Sequence, residues 1–205
     1  MIKIKHIRQK NDGFNWKCGA VCLEMILKYF DIECNQDEIW EAVKTKRQTG
    51  IGQYFAMTFK LAQYSLEKGL LATIYKSDSE NCLQTLDNLD MYQMPAILSV
   101  KEKKSSQSHF IVYVGKKDGK YCFSDPNSEK ELVRYDYTQV REMWKENRKI
   151  DVSGFVYIIF GKSEQPAVNK CGNCPAEYPV LTKEGGWLST VTICPYCDSG
   201  NYLQS

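Results

Sequence analysis

The chain has 205 residues, of which 43% are hydrophobic and 25% are charged, a composition typical of one globular domain with a small appendage. No apolar run approaches the ~20 residues that a membrane-spanning helix needs, so a soluble protein is expected. The net charge of +2 is too small to indicate a nucleic acid or another polyanion as partner. The first ten residues lack the apolar segment of a cleaved secretion signal, which predicts a cytoplasmic protein and leaves open delivery elsewhere by another route.

The N-terminal third of the chain has the patterns of three helices. Nearly all residues from Cys18 to Phe30 are apolar, as in a helix that is buried on most sides. Asn35, three residues before Glu38, is typical of the capped start of a helix. The three predicted helices cover about residues 18–30, 35–45 and 53–68.

Short apolar runs and turn signals dominate the following hundred or so residues. Residues 116–119, KKDG, are typical of a hairpin turn. Helices at the start and strands afterwards indicate an α+β fold with an antiparallel sheet. The predicted strands cover about residues 70–75, 95–100, 109–115, 120–125 and 155–160, with helices at about 79–89 and 137–146.

Three side chains from distant segments have the chemistry of a nucleophilic cysteine site. Such a site needs a thiolate, an imidazole that takes its proton, and a third group that holds the imidazole. Cys18 begins a helix, where the helix dipole and a nearby imidazolium both lower the pKa of a thiol. The predicted hairpin places His109 and Asp125 opposite or nearly opposite each other. His6 is the only other imidazole, and we expect it on the surface before the first loop.

Three segments together resemble the bacterial papain-like peptidases that process bacteriocins at double-glycine leaders, and their stand-alone relatives. The segments are KCGAVCLEMILKYFDIECNQDEI, MPAILSV and SHFIVYVGKKDGKYCFSDPN. The resemblance covers roughly residues 1–160 and implies a papain-like fold, with N-terminal helices packed on the sheet. It also implies that Cys18 is the nucleophile, His109 the general base and acid, and Asp125 the orienting group.

The oxyanion donor departs from this family's pattern. The family usually has a glutamine about six residues before the nucleophile, where this chain has Asp12. Gln9 fills the role if the intervening loop carries about three extra residues, and Asn11 or Asn15 are the alternatives.

Nine cysteines are present, and four of them form two CxxC pairs that nineteen residues separate. This spacing is typical of a zinc ribbon with four thiolate ligands, and because four protein ligands fill the coordination sphere, the zinc is expected to be structural. The intervening residues predict a hairpin that turns at Gly185 and Gly186. The ligands are Cys171, Cys174, Cys194 and Cys197, while Cys22, Cys34, Cys82 and Cys122 are expected to be structural thiols.

Acidic residues outnumber basic ones in the ribbon, since Glu177, Glu184 and Asp198 stand against Lys183, which argues against phosphate binding. Exposed aromatic residues would instead suit a protein partner or substrate. The candidates are Trp187, Tyr196 and Tyr202.

These patterns divide the chain into a peptidase domain (1–161), a linker (162–170) and a zinc ribbon (171–205). The function they favour is a cysteine peptidase that cleaves a peptide or protein by Cys-His-Asp acyl transfer and recruits it through the ribbon. The same three residues could instead deamidate or transamidate glutamine through a thioester. A catalytically inactive papain-fold adaptor that binds a protein partner is the alternative from a different class.

Overall fold

The computed structural model describes residues 1–10, 16–46, 54–101, 108–145, 154–163, 166–181 and 191–203. Over these ranges the helices are α1 (Cys18–Tyr29), α2 (Gln36–Val43), α3 (Thr58–Glu67), α4 (Cys82–Met91) and α5 (Tyr137–Trp144). The strands are β1 (Lys44–Lys46), β2 (Tyr54–Ala56), β3 (Leu71–Lys76), β4 (Ala96–Lys101), β5 (Ser108–Lys117), β6 (Lys120–Ser124), β7 (Val133–Tyr135), β8 (Val156–Gly161), β9 (Ala167–Lys170), β10 (Glu177–Val180), β11 (Val191–Ile193) and β12 (Gly200–Tyr202).

Most of the predicted helices and strands are present, with one clear error at the third helix. Asn35 caps α2 as expected, because its side chain accepts hydrogen bonds from the backbone N–H groups of Asp37 and Glu38. The third helix, predicted from about residue 53, begins only at Thr58. The described residues before it form β2, which pairs with β1, so strand pairing replaces helix in that stretch.

An eight-stranded sheet organises the molecule, in the order β12-β11-β3-β8-β4-β5-β6-β7. Every pair of neighbouring strands in it is antiparallel. Together with the helices this confirms the α+β class predicted from the sequence.

Helices cover both faces of the sheet, as the alternation along β8 shows. Val156, Ile158 and Phe160 pack in a core with α1, α2 and α3. Tyr157 and Ile159 pack on the opposite face, in a core with α4 and α5. Because both faces are buried, β8 is apolar at every one of these positions rather than alternating with polar residues.

The hairpin of β5 and β6 turns at Asp118 and Gly119, whose φ angles of 51° and 72° fit the two-residue turn predicted from KKDG. A bulge between Tyr113 and Gly115 then shifts the register by one residue. Gly115 has a φ of 124°, and a Cβ atom there would lie 2.5 Å from Asp90 Oδ1, so this position requires glycine.

The C-terminal cysteine module (residues 171–203) is attached to the sheet rather than set apart from it. Its strand β11 pairs with β3. Directly after β10, the Leu181 N–H donates to Thr73 Oγ1 at 2.8 Å, and the Tyr75 hydroxyl donates to the Leu181 carbonyl at 3.1 Å. Strand β9 begins at Ala167, inside the segment predicted as a linker, and pairs with β10. The domain boundaries themselves remain a prediction.

None of the helices in the described ranges has the length and apolar character needed to cross a membrane. The predicted cytoplasmic location remains an expectation.

Candidate active site and metal site

Cys18 is the first residue of α1 and is 7% exposed. The preceding residue, Lys17, makes no side-chain capping hydrogen bond, and the first turn carries no acidic residue. The first N–H groups of a helix have no partner within the helix, and they attract negative charge. The α1 N-terminus therefore attracts any anion that forms beside it.

His109 and Asp125 are hydrogen-bonded to each other, with 2.8 Å between His109 Nε2 and Asp125 Oδ1. The Cys18 thiol lies close enough to the imidazole to raise the pKa of His109. Because Nε2 faces the carboxylate, Nδ1 is the ring nitrogen that remains for the sulfur. The three side chains predicted from the sequence thus lie together in one chain of contacts.

The charges in this chain of contacts stabilise one another. Burial by itself lowers the pKa of His109, but the hydrogen bond to Asp125 and the interactions with Cys18 outweigh it and raise that pKa to about 10. Burial raises the pKa of Asp125, but its hydrogen bond and charge interaction with His109 prevail and lower it. At neutral pH the site accordingly holds an imidazolium beside a carboxylate.

The loop that carries Asp125 is fixed from several sides. The Asn127 N–H donates to Asp125 Oδ1 at 2.9 Å, and the Ser128 N–H donates to the Asp125 carbonyl at 2.9 Å. His6 spans the same loop, because its Nδ1 lies 2.7 Å from Ser124 Oγ and its Nε2 lies 3.2 Å from the Ser128 carbonyl oxygen. His6 is therefore half-buried and bonded at both ring nitrogens, whereas the sequence suggested a surface residue.

Gln9, the predicted oxyanion donor, lies beside this loop. Its N–H donates to the Pro126 carbonyl at 2.9 Å, one residue after Asp125, and the residue is half-buried. The alternative donors Asn11 and Asn15, and Asp12 at the usual family position, lie outside the described residues. The assignment of Gln9 remains a prediction.

The other thiols of the peptidase region are buried, as in structural positions. Cys22, one helical turn after Cys18, forms a hydrogen bond with the Phe110 carbonyl at 3.2 Å. Burial raises the pKa of the Cys22 thiol well above its usual range. Cys22 is therefore a neutral core thiol next to the candidate nucleophile.

At the other end of the sheet, four sulfur atoms lie within 4.8 Å of one another, close enough to hold a metal ion. The Sγ atoms of Cys171 and Cys197 are 3.5 Å apart, and those of Cys174 and Cys194 are 3.8 Å apart. A tetrahedral site with metal–sulfur bonds of about 2.3 Å has sulfur–sulfur separations of about 3.8 Å. The four predicted ligands thus match a four-thiolate site.

Backbone amides support the sulfur atoms in both CxxC turns. The Asn173 N–H donates to Cys171 Sγ at 3.4 Å, and the Tyr196 N–H donates to Cys194 Sγ at 3.5 Å. A hydrogen bond with Ser199 lowers the pKa of Cys197 to about 6. Hydrogen bonds of this kind stabilise thiolate, the form in which cysteine binds metal. The predicted turn at Gly185 and Gly186 lies outside the described residues.

Comparison with known proteins gives one family. The model of the peptidase C39 family matches residues 3–148. Among curated proteins, none matches this sequence.

Solved structures give the same fold at low sequence identity. The peptidase domain of Streptococcus ComA, a bifunctional ABC transporter of a quorum-sensing pathway, is 17% identical with a TM-score of 0.59, and the match covers 78% of this chain and 100% of that domain. A putative C39-like peptidase from Bacillus anthracis is 12% identical with a TM-score of 0.57, covering 80% of this chain and 100% of the other. A double-glycine-motif protease of an AMS/PCAT transporter, solved with its leader peptide, is 19% identical with a TM-score of 0.53, covering 77% and 91%.

Proposed function

Because the chain belongs to the peptidase C39 family and is a papain-like cysteine peptidase, we propose that it hydrolyses a peptide bond by Cys-His-Asp acyl transfer. The first candidate substrate is a leader peptide with a double glycine, since one structural neighbour is a double-glycine-motif protease bound to its leader peptide. The observation that carries the proposal is the contact chain from Cys18 through His109 to Asp125.

The reaction begins with the sulfur of Cys18 and the protonated ring of His109. The thiolate attacks the carbonyl carbon of the scissile bond and forms a tetrahedral intermediate with a negatively charged oxygen. His109 then donates its proton to the leaving nitrogen, the C–N bond breaks, and an amine departs from a thioester on Cys18. Asp125 holds the ring so that Nδ1 faces the sulfur during both steps.

Hydrolysis of the thioester completes the cycle. The neutral His109 takes a proton from water, the hydroxide attacks the thioester carbon, and the C–S bond breaks to release a carboxylic acid. The Cys18 thiolate and the imidazolium are then restored. No other reactant is needed.

The oxygen of the tetrahedral intermediate needs hydrogen-bond donors at the point where its charge forms. The backbone N–H of Cys18 is one candidate, because the first N–H groups of a helix lack partners within the helix. We assign the side-chain amide of Gln9 as the other, since its backbone lies against the loop of Asp125.

For the C-terminal cysteine module we propose a structural zinc ion held by Cys171, Cys174, Cys194 and Cys197. Zinc suits a tetrahedral set of four thiolates, and such a set leaves no position for substrate. Bound there, the ion would cross-link β9, β10 and the turn after β11, a segment with little core of its own.

We further propose that the module recruits the substrate or a protein partner. Two exposed aromatic side chains support this proposal, since Tyr196 is 47% exposed and Tyr202 is 78% exposed. Aromatic side chains are enriched in protein interfaces. Trp187, the third aromatic residue considered, lies outside the described residues.

The experiment that tests the peptidase proposal uses synthetic leader-type peptides with a Gly-Gly sequence, followed by mass spectrometry. We expect two fragments whose new termini flank a single bond, and about 10³-fold or greater loss of that cleavage in both Cys18→Ala and His109→Ala. The matched control is Cys22→Ala, which removes a buried thiol one turn away and is expected to keep cleaving.

Two other outcomes would contradict the proposal. A mass gain of about 1 Da without chain cleavage would identify a glutamine deamidase, which uses the same thioester chemistry. An adaptor would leave all peptides intact, and iodoacetamide would label Cys18 of the wild type and of His109→Ala at equal rates at pH 6. A peptidase is expected to label fast at that pH only while His109 is present, because the imidazolium stabilises the thiolate.

A further inference from the structure

Gln36, the first residue of α2, forms hydrogen bonds with the backbone on both sides of Gln9, the predicted oxyanion donor. What we infer from these contacts rests on the proposed function of Gln9. Gln36 is 5% exposed. Its Oε1 accepts a hydrogen bond from the Lys10 N–H at 2.9 Å, and its Nε2 donates to the Arg8 carbonyl at 3.2 Å. The two backbone groups belong to the residues immediately before and after Gln9.

The side-chain amide of Gln36 therefore pairs with the backbone around Gln9 as a neighbouring strand would. On its other side, the Gln9 N–H donates to the Pro126 carbonyl at 2.9 Å, on the loop that carries Asp125. Each of these polar groups would lose free energy if it were buried without a partner. The backbone of Gln9 is thus held between α2 and the loop that carries Asp125.

Asp37, the next residue of α2, ties down both ends of the segment that leads from Gln9 to the nucleophile. Its carboxylate forms ion pairs with Lys10 and with Lys17, the latter at 2.9 Å. Lys17 is 5% exposed and directly precedes Cys18, and a buried ammonium group requires such a partner. Hydrogen bonds from Lys10 and Lys17 lower the pKa of Asp37, so the carboxylate is charged at neutral pH.

Helix α2 is a rigid base for these contacts. Asn35 caps it, since its Oδ1 accepts hydrogen bonds from the N–H groups of Asp37 and Glu38 at 3.1 and 3.0 Å. The cap fixes the first turn, from which both Gln36 and Asp37 project. Ile39, Trp40 and Val43 then bury the helix in the core beside α1.

We propose that Gln36 is a positioning residue that holds Gln9 in place as the oxyanion donor, with Asp37 as a second tie. This anchoring by α2 compensates for the long separation between Gln9 and the nucleophile in the sequence. Gln9 lies nine residues before Cys18, so the oxyanion donor needs an anchor that does not depend on the length of the loop between them.

A double-mutant cycle tests the proposal with the full chain and a fluorogenic peptide that ends in Gly-Gly before its leaving group. Gln36→Met keeps the length of the side chain and removes both hydrogen bonds. We expect it to lower kcat about tenfold to a hundredfold with KM changed less than twofold, because oxyanion contacts form only in the transition state. In a Gln9→Ala background, Gln36→Met should cause no further loss of kcat.

A conservative variant and a matched control sharpen the cycle. Gln36→Glu keeps an acceptor for the Lys10 N–H but loses the donor to the Arg8 carbonyl, so its kcat should lie between those of Gln36→Met and the wild type. Gln139→Met is the control, because Gln139 Oε1 also accepts from a backbone N–H, that of Asp136, at the start of α5. It should leave kcat unchanged.

Additive losses in the double variant would overturn the inference, since Gln36 would then act independently of Gln9. An unchanged kcat in a folded Gln36→Met protein would overturn it as well. Should Gln36→Met fail to fold, the cycle is repeated with Gln36→Glu, and additive losses of kcat with Gln9→Ala would again overturn the inference. A wild-type protein that cleaves no peptide would instead refute the proposed function, so the two failures are distinguishable.

Discussion

Two sites with cysteine side chains lie at different positions in the sheet, and they differ in which groups surround the sulfur atoms. At β5 and β6, a single thiol faces an imidazole, and hydrogen bonds from three distant segments hold the site in place. At β11 and the residues around it, four thiols face one another and lack any imidazole among the described residues. The first arrangement suits a sulfur that attacks a substrate, whereas the second places every sulfur where it could bind a metal ion.

Strands β3, β8 and β4 separate the two sites in the sheet order. With neighbouring strands about 4.8 Å apart, β11 and β5 lie about 19 Å from each other. Direct electrostatic coupling over that distance is largely screened at physiological salt. We therefore expect the active site and the metal site to respond to different perturbations, and five predictions test how each site is held.

The largest effect is expected from Asp125→Asn. This change removes the carboxylate that holds the His109 ring and stabilises its charge, so kcat/KM should fall about a hundredfold or more while the metal content stays the same. Asp136→Asn, at the N-cap of α5, is the matched control and should retain activity. Loss of metal in Asp125→Asn would contradict the separation of the two sites.

A pH profile sharpens the comparison, because only the active site depends on an imidazolium. The pKa of His109 is raised to about 10, so kcat/KM should decline as the pH rises through about 10 and the ring loses its proton. In Asp125→Asn the decline should begin at lower pH, because the carboxylate is one cause of the raised pKa. An identical alkaline limb in both proteins would contradict the assignment.

The same pKa shift has a consequence for folding that thermal unfolding can measure. The pKa of His109 is about 10 in the folded protein, against an ordinary value of about 6.5. The interactions of protonated His109 therefore contribute their full stabilisation of the fold below pH 6.5. This contribution is lost as the pH rises through about 10. The melting temperature of the wild type should therefore approach that of His109→Ala at alkaline pH.

A smaller effect is expected from Gly115→Ala in the bulge of β5. The new Cβ would lie 2.5 Å from Asp90 Oδ1 at a φ of 124°, a strain of roughly 1–3 kcal/mol that lowers the melting temperature and disturbs the register. Gly119→Ala also has a positive φ, but its Cβ would meet nothing within 4 Å, so it serves as the control. Equal effects of the two changes would show that the bulge is unimportant.

The smallest effect on the active site is expected from removal of the metal. A chelator, or Cys171→Ser, should release the ion and lower the melting temperature, because structural zinc contributes directly to folding. The rate at which iodoacetamide labels Cys18 should change less than twofold. A large change in that rate would mean that the cysteine module supports the active site through the sheet.

Local patterns in the sequence were enough to predict much of this molecule. The Asp-Gly turn, the Asn35 cap and the apolar helix after Cys18 depend on residues close to one another, and the structure has all three. The spacing of the two CxxC pairs likewise predicted a cluster of four sulfur atoms. Resemblance to a family supplied the proposed role of each candidate site residue, which local pattern alone does not define.

Long-range contacts account for what the sequence did not indicate. His6 and Gln36 carry no local signal, because their partners lie 118 and 28 residues away in the chain. The pairing of β11 with β3 depends on a similar long-range contact, so the sequence suggested a separate module instead.

The hairpin of β5 and β6 shows most clearly what local sequence determines and what tertiary packing determines. Its residues and its turn are local features, and with a regular register they would set Asp125 opposite Val112, on the other face from His109. The bulge at Gly115 moves Ser124 opposite Val112, so that the next residue, Asp125, shares a face with His109. Sequence alone identified the candidate residues for catalysis, and tertiary packing around Gly115 decided that His109 and Asp125 share a face, because one inserted residue reverses every side chain beyond it.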